Sequence, residues 1–205
     1  MKQYLVTIAV LGALPAVSAS AAMNTDPDWP CIQRKVPELS IGQVWNGELT
    51  ASAEDWDKDS KLADLASELV QRSNPIENAR KQIADYAASL PKEKANEKLT
   101  QLFYGIFHKI NLERDQVISG ITRYASKQRQ LASDLRAKAS EIDKLRAQPS
   151  ADAADVERQS EQLTWETRIF EERVQSLTYV CEVPTLIEQR LYSLSKIIGE
   201  MLGKS

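Results

Sequence analysis

Histidine is almost missing from this chain: His108 stands alone among 205 residues. A histidine-rich metal site is therefore excluded. Glycine occurs seven times and cysteine twice, and neither forms a Gly-rich phosphate loop, a GxSxG elbow or a CxxC pair. No Ser/Lys pairing stands out either. Basic charge is not in excess, with 26 Lys and Arg against 29 Asp and Glu, which argues against a binder of nucleic acid or of anionic membranes. Aromatics make up only 6% of the residues and strand-like alternation is nowhere sustained, so the composition points to helices rather than a β-sandwich.

One apolar run is present, at the start. Met1-Lys2-Gln3-Tyr4 gives a short positive segment, Leu5 to Val17 an apolar core, and Ala19-Ser20-Ala21 a small-residue cleavage pattern. Together these read as a secretory signal peptide over residues 1–21. The run is too short for a spanning helix of about 20 residues, and no later segment replaces it. Cys31 follows Asp28-Trp29-Pro30 rather than a small-residue lipobox, so lipid anchoring is not expected. The expected destination is the periplasm or the exterior, without membrane insertion. Cleavage removes Lys2 and leaves 25 basic against 29 acidic residues, a net charge of −4.

Export gives Cys31 and Cys181 a meaning, because an oxidising compartment favours a disulfide between them over free thiols. Residues 22–57 read as an irregular arm, with Pro27, Pro30, Pro37, Gly42, Gly47 and three of the four tryptophans. Trp29, Trp45 and Trp56 are costly to leave in water, so the arm is expected to lie along the helices and insert these rings between them. Peptide or glycan binding is the functional alternative for the same residues.

Residues 58–205 read as a single elongated helical domain. Leu62, Leu65, Ala66, Leu69 and Val70 recur at helical spacing within 58–72. Asn74-Pro75-Ile76-Glu77 has the pattern of a helix start, with Asn74 as N-cap, and Ile76, Ile83, Tyr86 and Leu90 form one stripe up to Pro91. From Lys92 to Ala147 there is no proline and only two glycines. That stretch reads as one helix of about 84 Å at about 1.5 Å per residue. Leu99, Leu102, Phe103, Ile106, Phe107 and Ile110 make its first part apolar on a wide face. Beyond, the stripe narrows to Val117, Ile121, Tyr124, Leu131, Leu135, Ile142 and Leu145, close to a coiled-coil seam.

Ala147-Gln148-Pro149-Ser150-Ala151-Asp152 reads as the turn, followed by a helix with Val156, Leu163, Phe170, Val174 and Leu177. Val183-Pro184-Thr185 is expected to interrupt it before a last helix carrying Leu186, Ile187, Leu191, Leu194, Ile198 and Met201. Charge favours folding the limbs together: residues 123–146 hold seven basic and three acidic groups, net +4, and residues 152–172 hold seven acidic and two basic, net −5. A turn centred on Pro149 brings Ile142 near Val156, Leu135 near Leu163, Tyr124 near Val174, Val117 near Cys181, and Leu191 and Leu194 near Phe107 and Phe103. The expected fold is all-α: a four-helix base, a protruding antiparallel hairpin over about 115–182, and the arm. Whether the seam pairs within one chain or between chains stays open.

Chemistry is sparse. His108, between Phe107 and Lys109, is expected to be a core or boundary residue rather than a base. Asp55, Asp57 and Asp59 alternate like the start of a calcium loop, but Ser60 replaces its glycine and Ala66 stands where its bidentate glutamate belongs. Acidic residues at a helix start are the plainer account. Spacing on different helices does not reveal a glycosidase-type carboxylate pair, and a narrow hairpin does not offer the concave site of such enzymes. No enzyme, metal or cofactor is expected. The first functional expectation is a noncatalytic envelope adaptor that uses the hairpin as a docking rod. Its contact surface would be the outer stalk or the tip at Ala147, Gln148, Pro149, Ala151 and Asp152. The alternatives are a holdase chaperone for exported polypeptides and a small-ligand binder lined by Phe103, Tyr104 and Phe107.

Overall fold

The computed structural model describes Asp26 and residues 28–203; the signal peptide expected at 1–21 lies outside the described residues. Four α-helices follow the arm: α1 (Ser60–Val70), α2 (Ile76–Ser89), α3 (Lys92–Arg146) and α4 (Ala153–Leu202). No strand occurs among the described residues. The fold is all-α, with α1, α2, the start of α3 and the end of α4 forming the base, while the rest of α3 and α4 pair as an antiparallel hairpin.

Base packing follows the wide apolar face of α3. Leu99, Leu102, Phe103, Ile106 and Ile110 are buried with Leu62, Ala66 and Leu69 of α1, Ala79 and Ile83 of α2, and Leu191, Leu194 and Ile198 of α4. Asp59 caps α1 by accepting from the Leu62 amide at 3.3 Å, and it also takes a 2.8 Å bond from Lys98. Asp59 thus serves the start of α1, while Asp55 pairs with Lys58 at 2.8 Å. No group of metal-ligating side chains forms among the described residues.

Asn74 does not cap α2. Its amide donates to the Glu68 carbonyl at 3.3 Å and to Gln82 at 2.9 Å, while its own oxygen accepts from Asn78. Buried at 8% exposure, it ties the end of α1 to α2. The amide side chain has both donor and acceptor, and the neighbouring helix uses both.

Pro184 does not interrupt the chain either. It lies inside α4, which runs unbroken through it. Proline lacks the N–H that the Val180 carbonyl would use and costs about 3 kcal/mol in a helix interior. Burial of Pro184 between Cys181 and Ile187, where α4 packs on α3, offsets that cost.

In the hairpin, the buried positions of α3 are Ile118, Ile121, Ala125, Gln128, Leu135 and Ile142. The seam therefore lies one residue away from Val117 and Tyr124 and contains a polar side chain. Its register agrees with a turn centred near Pro149: Ile118 and Ile121 pack with Leu177 and Cys181, and the Tyr124 hydroxyl donates to the Arg173 carbonyl at 3.3 Å. No helix among the described residues is long and apolar enough to cross a membrane.

Candidate functional site

The arm grips the molecule at the root of the stalk. Cys31 and Cys181 form a disulfide with Cα atoms 5.5 Å apart, linking positions 150 residues apart in sequence. Trp29 lies beside it, 7% exposed, in a cluster with Ile118 and Ile121. Its indole N–H donates to the Gln33 carbonyl at 2.6 Å, which closes the arm into a tight loop around the ring. Lys35 pairs with Asp26 at 2.8 Å and its ammonium sits 5.9 Å from the Trp29 ring. That bond holds the Asp26 carboxyl below the usual carboxylate range. Asp28 in turn pairs with Arg129 on α3.

Arg114 is the second clamp, and nothing in the sequence pattern marks it out. Only 3% exposed, it donates to Glu188 of α4 at 2.7 Å and to the arm carbonyls of Val36 and Pro37. One guanidinium thereby joins arm, α3 and α4 through its fixed fork of donors. One turn earlier, Asn111 both accepts from the Leu39 amide at 3.2 Å and donates to its carbonyl at 3.3 Å. Further along the arm, Trp45 stacks on Phe103 with ring centroids 4.0 Å apart and planes 12° from parallel. Trp56 rests on Gly105, where a Cβ would come within 2.8 Å of the indole.

These contacts settle several side chains. Phe103 is fully buried beneath Trp45, so the space proposed for a small ligand is filled there. Tyr104 and Phe107 instead line a shallow groove of about 400 Å³ with Pro37, Glu38 and Asn111. His108 also lines it and is exposed, not core or boundary. It lies on the α3 edge turned from Leu99 and Phe103, and its ring is 5.7 Å from that of Trp56.

The tip residues form the turn. The Ala147 amide donates to Asp143, that of Gln148 to Leu145, and that of Ala151 to Gln148. Asp152 caps α4 by accepting from the Ala154 amide at 3.0 Å. Ala147, Gln148, Pro149 and Asp152 are exposed and Ala151 is half-buried. Along the stalk, Lys138 bridges to Glu166 of the opposite limb at 2.6 Å. That bond, helped by Gln162, holds the Glu166 carboxyl below the ordinary glutamate range. Other stalk pairs, Asp143 with Arg146, Asp155 with Arg158 and Arg168 with Glu172, lie within one helix.

Sequence reading named the outer stalk as a contact surface but assigned no residues of α4 to it. Trp165, Ile169, Val174, Tyr179, Val180 and Leu186 are all exposed large apolar residues. Trp165, Ile169, Tyr179 and Leu186 share one face of α4, and their spacing is the signal that was available, whereas Val174 lies on the seam side beside Ala125 and Gln128 of α3. No protein-family model matches the chain, and neither the curated proteins nor the solved structures hold a match to it.

Proposed function

We propose that this is a noncatalytic, exported interaction protein, an adaptor or accessory subunit of an envelope complex that presents its hairpin as a docking rod. The observation that carries this reading is the bracing of the stalk root. Disulfide, Trp29 loop, Arg114 fork and Asn111 pair all fasten the arm where the hairpin leaves the base. A hairpin whose helices meet along one narrow seam gains orientation from such a brace, and a docking rod needs orientation more than it needs a cavity. Disulfide formation and the charged N-terminal apolar run both support delivery to an oxidising compartment.

Reversible cross-linking in intact cells, with purification through this protein and mass spectrometry, tests the reading. One or two partners at near-stoichiometric yield are expected. A second reading, a holdase for exported polypeptides, is favoured by the exposed apolar side chains along α4. It predicts instead many exported proteins at low yield, increasing under folding stress. Recovery of the protein alone overturns both.

A further inference from the structure

Two stripes run along α4, and only one is used throughout. The inner one, Leu163, Phe170, Leu177, Pro184, Leu191 and Ile198, repeats every seven residues and faces α3. The outer one has the same repeat: Trp165, Glu172, Tyr179 and Leu186 at one position, Ile169, Ser176 and Val183 at another. At about 3.6 residues per turn all seven fall within about a third of the helix circumference. Trp165 is 64% exposed, Tyr179 75%, Leu186 50% and Ile169 44%.

In the base the same outer face is covered. Ile197 continues the stripe by its seven-residue repeat and is buried, with α1 and α2 packed on α4 there. Arg190, on the same face, donates to the Leu69 carbonyl at 2.9 Å, at the last turn of α1. Beyond that turn, towards the tip, no helix of the described chain lies on the stripe. Val183 already packs against the base core; the rest of the segment, Trp165 to Tyr179 with Leu186, is bare and continues an established helix–helix interface without its second helix.

We propose that this segment is the docking strip for a helix of a partner protein, apolar along one face with a basic residue about a third of the way along it, level with Glu172; the inference rests on the docking-rod reading. Length and charge specify the occupant. Trp165 to Leu186 covers about 32 Å, the span of a helix of about 21 residues. Residues 161–182 hold five acidic and two basic groups, net −3. Glu172 sits about a third of the way along the strip from Trp165, two-thirds exposed, and its ion pair with Arg168 at 3.3 Å is an exposed one, of small worth. A Lys or Arg of the partner placed level with Glu172, about 10 Å along the axis from Trp165, fixes register as a charged seam residue does in a coiled coil. A second copy of this chain fits less well, because α4 against α4 opposes acidic limbs, and the one exposed large apolar residue of α3, Leu112, lies outside its basic limb.

A 21-residue synthetic helix with leucines on one face and a lysine about a third of the way along, level with Glu172, tests the strip, its binding to the disulfide-intact chain read by fluorescence anisotropy. Trp165→Ser with Tyr179→Ser should weaken binding at least tenfold. Glu172→Lys should weaken it several-fold, and a peptide with glutamate in place of that lysine should recover the loss on that variant. These side chains are exposed, so melting should not change. Equal affinity across the variants, no exchange of preference between the two peptides, or a strip-dependent dimer by sedimentation overturns the proposal. In cells, a photo-cross-linker at Tyr179 should capture the partner and one at Gln148 should not. Capture only at Gln148 overturns the strip while leaving the adaptor reading, and capture at neither site counts against both.

Discussion

Arg114 shows how much one residue can hold without being visible in a pattern. Its guanidinium is nearly inaccessible and meets Glu188 and two arm carbonyls. Arg114→Ala leaves these acceptors facing a hole, and each unpaired buried group costs about 1–3 kcal/mol. Because Glu188 is 38% exposed and recovers water, a loss of about 3 kcal/mol is expected, measured by urea unfolding. Lysine should not rescue it, having no fork to span two carbonyls and a carboxylate. Gly105 offers a test of opposite character. Alanine there gains about 1 kcal/mol of helix propensity, yet its Cβ would lie 2.8 Å from Trp56 Cε3 and 3.0 Å from Cδ2. Overpacking costs about 1–3 kcal/mol, so Gly105→Ala should lose about 1 kcal/mol and change the tryptophan emission. An unchanged spectrum with higher stability would mean that Trp56 is not seated on α3.

Elements were more legible than residues, and the reasons are physical. The wide face from Leu99 to Ile110 and the stripe Leu62, Ala66, Leu69 report burial directly, because apolar periodicity is itself the packing requirement. Cys31 and Cys181 were legible because the expectation of export left them one natural partner each. Pro184 and Asn74 misled for a common reason: both carry strong local preferences, and tertiary packing overrode them. His108 misled because neighbours in sequence, Phe107 and Lys109, do not share its helix face. Gln128 and Arg114, buried polar groups on α3, left no sign because nothing local distinguishes them from solvated ones. The disulfide is the element whose removal should be felt most. Closing a loop of this length restricts the unfolded chain by about 5 kcal/mol in the entropy model. Cys31→Ser with Cys181→Ser should lower the melting temperature and raise amide exchange over the arm and around Ile118. Equal melting of oxidised and reduced protein would refute the brace.

At the scale of the whole molecule the hairpin fixes the shape. Helix α3 alone, at 55 residues, is about 82 Å long. A rod of that length has a radius of gyration near 24 Å, the length divided by the square root of 12, whereas a compact domain of this size has one of about 16 Å. Small-angle scattering separates the two values easily. Self-association through the outer strip would raise the scattering mass, so mass and size must be read together. With monomeric mass, a radius near 24 Å and a maximum dimension above 80 Å are expected. A monomer near 16 Å would require the hairpin to fold back over the base, covering Trp165 and Tyr179 with the chain itself. It would remove at once the rod and the bare strip on which docking depends.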